Sequence, residues 1–174
     1  MNNFENVDLT YYGENLYISN NVKYREMQDK LKKYFNSVIT AIVLNQIDQK
    51  SDYAKQFIND LNEVIDNLSN TREYDGRMNK IQITNKFIHF DFPKKDDESI
   101  FFEEVVIDKQ TNSFYFIKTK EDLFFNVTEY DFDKTGITRI DHDNVPPLFL
   151  YDDDSIEESL YNLKNDTFNN KMAM

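Results

Sequence analysis

The spacing of the apolar residues changes once along the chain, and this change constrains the fold more than any other feature. From Asn20 to about Gln49, and again from Ser51 to Ser69, apolar side chains recur every three or four residues, which is typical of amphipathic helices. After Gly76 they alternate with polar side chains, which is typical of strands that bury one face. The sequence therefore predicts an α+β protein in which the helices precede the sheet.

The two helical segments are separated by the short polar stretch 48–50. So short a connection favours an antiparallel helix hairpin, and Ser51 is a suitable N-cap for the second helix. Residues 38–47 are apolar almost all round the first helix, so this end is predicted to lie at the centre of the core.

Alternation in the second half predicts an antiparallel β-meander packed on that hairpin. Ile81, Ile83, Ile88, Phe90 and Phe92 would face the core, and Gln82, His89 and Asp91 would lie on the opposite, polar face. Further strands are predicted at 99–108, 113–119 and 122–128. Turns at 108–112 and 133–136 carry Asn and Gly where tight hairpins need positive φ.

The chain of 174 residues is predicted to be one domain, with enough large side chains for a core at 40% hydrophobic and 15% aromatic residues. Its parts are an N-terminal arm (1–19), the helix hairpin (20–70), the sheet (78–140) and a C-terminal segment (145–174). In the last part, Leu148, Phe149 and Leu150 are predicted to dock on the body, and Asp154 or Ser155 to cap a short helix that reaches Leu163.

Several functions lack sequence support. The chain has no Cys, begins without a basic stretch followed by an apolar one, and has a longest apolar run (38–44) far below the roughly 20 residues that span a bilayer. With 3 Gly it also lacks phosphate-loop, dinucleotide and nucleophile-elbow patterns. We therefore expect a cytoplasmic protein with no membrane contact, no cofactor, no bound metal and no catalytic residue.

Charge is the strongest functional signal. The net charge is −12, from 32 acidic and 20 basic residues. It is unevenly distributed, with +3 over residues 20–50, −5 over 96–112 and −7 over 129–174. Such a chain is not expected to bind nucleic acid directly, and its field favours a basic protein partner.

Carboxylates at fixed spacing can imitate a phosphate backbone and occupy the basic channel of a nuclease or of a DNA- or RNA-binding protein. We therefore predict an inhibitor of such a partner, acting through acids between 96 and 104 and between 129 and 158. The predicted partner-binding residues are Asp96, Asp97, Glu98, Glu103, Glu104, Glu129, Asp131, Asp133, Asp152, Asp153, Asp154, Glu157 and Glu158.

The composition supports this hypothesis by resemblance. Asn, Lys, Ile, Asp, Tyr and Phe are abundant, while Gly and Pro number 3 each. In composition and size, though in no motif, the chain resembles small acidic proteins of phages and mobile elements, including inhibitors of host-defence nucleases and anti-CRISPR proteins. The resemblance implies a counter-defence role, for which nucleic-acid mimicry is one route.

Three alternatives stay open. A toxin-immunity protein would also present an acidic face to a basic active site. A phage or mobile-element assembly subunit would use aromatic anchors such as Tyr11, Tyr12, Tyr17, Phe149 and Tyr151, although such residues also pin a terminal segment to its own core. A metal-dependent enzyme would be built around Asp131, Asp133, Asp141, His142 and Asp143.

Residues 131–136 resemble the opening of a calcium loop, with Asp131, Asp133 and Gly136 at the expected positions. The twelfth position, however, is His142 where a bidentate Glu is needed, so a plain hairpin is the prediction. His89 and His142 are both interpreted as solvated side chains without a catalytic role.

Overall fold

The structure is a computed structural model that describes residues 15–18, 22–44, 52–69, 73–74, 77–93, 103–120, 124–133 and 136–165. Three helices and nine strands lie within these ranges. The helices are α1 (Val22–Leu44), α2 (Tyr53–Ser69) and α3 (Asp153–Lys164). The strands are β1 (Asn15–Tyr17), β2 (Glu73–Tyr74), β3 (Arg77–Met78), β4 (Lys80–Ile83), β5 (Phe87–Asp91), β6 (Glu104–Asp108), β7 (Ser113–Lys120), β8 (Phe124–Asp133) and β9 (Gly136–Val145).

Helices α1 and α2 form the predicted antiparallel hairpin. The start of α1 meets the end of α2, where the Tyr24 hydroxyl donates to the Leu68 carbonyl at 3.0 Å and the Gln28 amide donates to the Ser69 hydroxyl at 3.2 Å. The apolar stripe of α1 is buried as its spacing predicted, from Tyr24 through Leu31 to Phe35. The predicted cap Ser51 lies outside the described residues.

The far end of α1 departs from the prediction. Val43 and Leu44 are 54% and 71% exposed, whereas the all-round apolar character of 38–47 had placed this end at the core centre. Only the stripe that continues through Val38 and Ile42 is buried. A single helix face contacts the sheet and α2, so apolar residues on the other faces remain exposed here.

Seven strands form one antiparallel sheet in the order β1-β4-β5-β6-β7-β8-β9. From β4 to β9 each strand pairs with its neighbour in sequence, which is the predicted meander. Asn112 has φ 55° and Gly136 has φ 139°, so both predicted turns have the positive φ that closes a hairpin.

The meander extends beyond its predicted limits. Strand β9 continues to Val145, and residues 15–17, predicted as part of an N-terminal arm, pair with β4 as an edge strand. Leu16 of that strand is fully buried. This short stretch lacks the length for a pattern to be read, so its pairing was not visible in the sequence.

Both faces of the sheet are covered. The alternate residues Phe90, Val105, Phe114 and Tyr130 pack against α1 and α2, and we call this side the hairpin face. The residues between them, including Val106, Tyr115 and Val127, pack against α3 and the segment before it, on what we call the α3 face. The predicted polar face is therefore largely an interior surface.

Candidate functional site

Helix α3 begins at a well-formed cap. The Asp152 carboxylate accepts from the Ser155 amide at 2.8 Å, and the Asp152 amide donates back to the Ser155 hydroxyl at 3.0 Å, so the two residues form a capping box. Hydrogen bonds from Ser155, first from its amide and then from its side chain, lower the pKa of Asp152. The cap lies before the predicted Asp154 or Ser155, and it assigns Asp152 a structural role.

The inner side of α3 is apolar and its outer side is acidic. Ile156, Leu160 and Leu163 are buried against the sheet. Asp154, Glu157, Glu158 and Tyr161 are exposed and recur at the three- and four-residue spacing of one helix face. Leu163 had been the predicted end of the helix, which in fact continues for one more residue.

Two exposed aromatic residues stand beside this acidic face. Phe149 and Tyr151 are 60% and 75% exposed, and their rings stack with centroids 6.1 Å apart. Their backbone is held to α3, because the Ser159 hydroxyl donates to the Phe149 carbonyl and the Tyr151 amide donates to the Ser155 hydroxyl. Leu150 is buried and Leu148 packs against the same cluster, so the predicted docking of this segment is confirmed for the two leucines but not for Phe149.

We call Phe149, Tyr151, Asp154, Glu157, Glu158 and Tyr161 the α3 surface. Within it, Glu157 pairs with Lys86 at 3.1 Å, in an exposed ion pair. A hydrogen bond and the charge of Glu157 raise the pKa of Lys86. The side chains of Asp154 and Glu158 form no hydrogen bond or ion pair with a described residue, so their carboxylates are available to a partner.

The other predicted acids separate into four groups. Asp96, Asp97 and Glu98 lie outside the described residues. Glu103 and Glu104 lie where β6 begins, and both are partly buried. Glu129 and Asp131 lie on the α3 face of β8, whose last residue is Asp133. The half-buried Asp153 is the first residue of α3, and one of its carboxylate oxygens is buried without a hydrogen-bond partner in the described chain.

Glu129 is buried in an ionic cluster that the sequence did not reveal. Its carboxylate is 1% exposed, lies 2.9 Å from the His142 Nε2, and pairs with the Lys164 ammonium at 3.2 Å. Asp131 lies two residues further along the same strand face, 3.4 Å from Lys164, and accepts a hydrogen bond from the Ser113 hydroxyl. The cluster therefore joins β7, β8, β9 and the end of α3.

The two carboxyl groups of the cluster have divergent acidities. Burial raises the pKa of Asp131 to about 6, and the hydrogen bond with Glu129 adds to the increase. Burial also opposes the ionisation of Glu129, but hydrogen bonds from His142 and Asp131 and the charge of Lys164 outweigh it and lower the pKa to about 2. The cluster thus holds one ionised carboxylate beside one that takes up a proton below about pH 6.

The prediction that both histidines are solvated was wrong. His89 is 3% exposed and lies 2.9 Å from a carboxylate oxygen of Glu104, and His142 is 6% exposed beside Glu129. Each pairing joins two strands whose register no local pattern reveals. A useful signal was available for β8, since Glu129 and Asp131 alternate with buried aromatic residues and therefore share a face.

The residues of the metal alternative lie on opposite sides of the sheet. Asp131 and His142 are on the α3 face, whereas Asp141 is opposite Thr128 on the hairpin face. Within the part of the chain that the structure describes, no group of three His, Asp or Glu side chains has the arrangement to hold a metal ion. Asp131 and Asp133 belong to β8, and Asp133 pairs antiparallel with Gly136 at the start of β9, as the plain-hairpin prediction required.

Comparison with protein-family models, with curated proteins and with solved structures found no match. Of the helices described, none is long and apolar enough to cross a membrane.

Proposed function

We propose that this protein binds and inhibits a basic, nucleic-acid-handling protein, and that the α3 surface makes the contact. The observation that carries the proposal is the exposure, on one side of one helix, of three carboxylates between aromatic side chains. No residue is proposed to make or break a covalent bond.

The chemistry of the α3 surface fits such a partner. Helix α3 carries four acidic residues and one basic residue, a net charge of −3, in a chain whose net charge is −12. A field of this sign accelerates encounter with a basic surface and repels nucleic acid. The channels and grooves that hold phosphate backbones are rich in Lys and Arg, which makes them the matching class of surface.

The aromatic side chains add the buried contact area that charged groups alone do not provide. Tyr161 is 66% exposed and lies one helical turn after Glu157 and Glu158. Tyr and other aromatic residues dominate binding energy at interfaces, because they bury a large area at a small entropic cost. Since hydrogen bonds to α3 fix the backbone of Phe149 and Tyr151, these anchors are largely pre-organised.

The acids that the sequence predicted as contacts differ in how accessible they are to a partner. Glu129 is buried and Asp152 caps the helix, so neither is free to meet a partner. Asp154 and Glu158 are the strongest remaining candidates. We therefore base the test on these two residues.

The test compares the unaltered protein with the double variant Asp154→Asn/Glu158→Gln as baits in a bacterial lysate. A matched control is Glu26→Gln/Asp29→Asn, which removes two exposed carboxylates from α1 instead. We expect one nuclease or nucleic-acid-binding protein to be retained at low salt by the unaltered protein and by the control, and to be lost with the α3 variant or at high salt.

A purified candidate partner must then be inhibited. We expect its nuclease or nucleic-acid-binding activity to fall when the unaltered protein is added, and the α3 variant to be at least about tenfold weaker, the loss of roughly 1.4 kcal/mol of binding free energy. Equal inhibition by both would remove α3 from the interface. Retention of only the protein itself or of virion components would contradict the inhibitor and favour an assembly role.

A further inference from the structure

A polar cleft lies on the hairpin face, on the opposite side of the sheet from α3. It has a volume of about 440 Å³ and opens between α2 and strands β7, β8 and β9. Cavities that bind small molecules usually fall between roughly 300 and 1,000 Å³. The side chains that line this cleft are all polar or charged, which is unusual for a surface between a helix and a sheet.

Arg139 is at the centre of the cleft. Its Nε donates to Asp141 at 3.2 Å, and its Nη1 donates to the Gln56 carbonyl oxygen and to the Tyr130 hydroxyl. The Arg139 carbon Cζ lies 5.6 Å from the centre of the Tyr130 ring. These contacts fix the guanidinium and leave Nη2 without a hydrogen bond to any residue the structure describes, so this group can donate to a ligand.

Asp60 supplies an acceptor that is held in place. Its Oδ2 accepts from the Tyr130 hydroxyl at 2.7 Å, whereas Oδ1 accepts from no described residue. Burial raises the pKa of Asp60, although Tyr130 and the charges of Arg139 and Lys118 counteract the increase. Fixed donors and fixed acceptors therefore line the same cleft, within a network that runs from Asp60 through Tyr130 to Arg139.

The charges of the cleft are interleaved. Lys118 and Arg139 are basic, while Asp60, Asp141 and Asp143 are acidic, which gives a net charge of −1. Each basic side chain lies close to a carboxylate. A charged ligand would therefore be attracted by one of these groups and repelled by its neighbour at a similar distance. This arrangement disfavours phosphates, carboxylates and amines.

Neutral hydroxyl groups satisfy such a lining, since each can donate and accept at once. Asp60 and Arg139 both contact the Tyr130 hydroxyl, so a ligand with two adjacent hydroxyls, one donating to Asp60 Oδ1 and one accepting from Arg139 Nη2, would match this pair of residues. The side-chain amide groups of Gln56 and Asn126 carry further NH groups that no described residue accepts. We propose that the cleft binds a neutral small molecule with vicinal hydroxyls, either a free sugar or the ribose of a nucleoside.

The test is a titration followed by backbone amide resonances of the ¹⁵N-labelled full chain. The probes are methyl β-ribofuranoside, methyl α-glucopyranoside and adenosine, with the methyl 2-deoxyribofuranoside as the matched ligand that lacks the vicinal pair. We expect saturable shifts at Asp60, Lys118 and Arg139 at millimolar concentration or below, and at least about fivefold weaker binding of the deoxy compound.

Comparing the affinities of the different probes shows whether the hydroxyls belong to a nucleoside or to a free sugar. Tighter binding of adenosine than of the methyl riboside indicates a nucleoside, and comparable binding of the glucoside and the riboside indicates a sugar. Inorganic phosphate should cause no saturable shift at these residues. Tighter binding of phosphate, equal binding of the deoxy compound, or absence of a saturable shift with any of the probes would overturn the proposal.

Two variants locate the site. Arg139→Gln should abolish the shifts, whereas Asp154→Asn/Glu158→Gln on the α3 surface should leave them unchanged. The comparison of ribofuranoside with its deoxy form uses the unaltered protein, so it decides the question even where Arg139→Gln fails to fold. The cleft and the α3 surface lie on opposite faces, and either proposal can fail without the other.

Discussion

The two faces of the sheet are packed by different means. On the hairpin face, two long helices cover a continuous set of aromatic and aliphatic residues, in which Phe57 contacts Phe114, Tyr130 and Phe132 at ring-centroid distances of 5.0 to 5.1 Å. On the α3 face, one helix of 12 residues covers a smaller apolar cluster and ends at the ionic cluster of Glu129, Asp131, His142 and Lys164.

The two faces should therefore respond to different conditions. Apolar contacts in the hairpin face depend little on pH, whereas the attachment of the end of α3 depends on the charge of two carboxyl groups and one ammonium. We therefore expect the hairpin face to carry most of the stability. The α3 face should carry most of its pH dependence.

The largest effect should come from the variant Phe57→Ala, which removes the centre of the aromatic cluster. We expect the free energy of unfolding to fall by about 3–5 kcal/mol, measured by urea denaturation with circular dichroism. The comparison variant is Leu160→Ala on α3, for which we expect a loss of about 2 kcal/mol, because a short helix can settle into the space. A loss for Leu160→Ala as large as that for Phe57→Ala would show that the hairpin face does not carry most of the stability.

The next effect concerns pH. The folded-state pKa of Asp131 is about 6, above its ordinary 3.8, so between these values the folded protein binds a proton that the unfolded chain has released. Stability should therefore fall as pH rises from about 4 to 6, by about 1–2 kcal/mol for this group. Glu129 acts in the opposite direction, since its pKa is lowered from 4.5 to about 2 and its contribution is lost as pH falls through that range.

The variant Asp131→Asn removes the contribution of Asp131 to the pH dependence and leaves that of Glu129. As pH rises from 4 to 6, we expect the difference in unfolding free energy between variant and unaltered protein to change in favour of the variant, and to be constant above about pH 7. Urea denaturation at half-unit pH steps measures it. Parallel pH profiles for the two proteins would show that Asp131 does not titrate in this window.

A smaller effect is expected for Lys164→Met, which keeps the aliphatic stem and removes the charge between Glu129 and Asp131. Because Lys164 is 43% exposed, solvent screening limits the loss of unfolding free energy at pH 7 to about 1 kcal/mol. Lys86→Met removes the exposed pair with Glu157 and should cause no measurable loss. Equal losses for both would mean that burial of Glu129 adds nothing to its ion pair.

The smallest effect concerns the cap of α3. Asp152→Ala should lower the melting temperature by roughly 2–4 °C, whereas Asp152→Asn, which can still accept from the Ser155 amide, should leave it nearly unchanged. Thermal unfolding followed by circular dichroism distinguishes the two. A drop for Asn as large as for Ala would mean that the charge of Asp152, rather than its hydrogen bond, stabilises the helix.

Local periodicity predicted the elements of the fold but not their neighbours. Tyr24, Leu31 and Phe35 are buried as their spacing required, while Val43 and Leu44 have the same apolar character and remain exposed. Their burial depends on whether another element reaches that end of α1. A pattern within one helix carries no information on this point.

The same limit applied to the candidate site. Glu129 and Glu158 are equivalent in a count of charges, yet the first is buried beside His142 and the second is exposed on α3. Strand register and the position of α3 determine whether each carboxylate is buried or exposed, and both depend on contacts between distant parts of the chain. Composition could therefore predict a strongly acidic surface but not which of the acids lie on it.

The order of strands also bears on how the chain folds. Strands β4 to β9 each pair with the next strand in sequence, so their contacts close short loops and can form in succession. Strand β1 instead pairs with β4 across the whole helix hairpin, which makes this the costliest closure in the sheet. We expect β1 to dock last during folding. Until it does, β4 is an unpaired edge on which a strand of another chain can add, and conditions that delay β1 should promote aggregation.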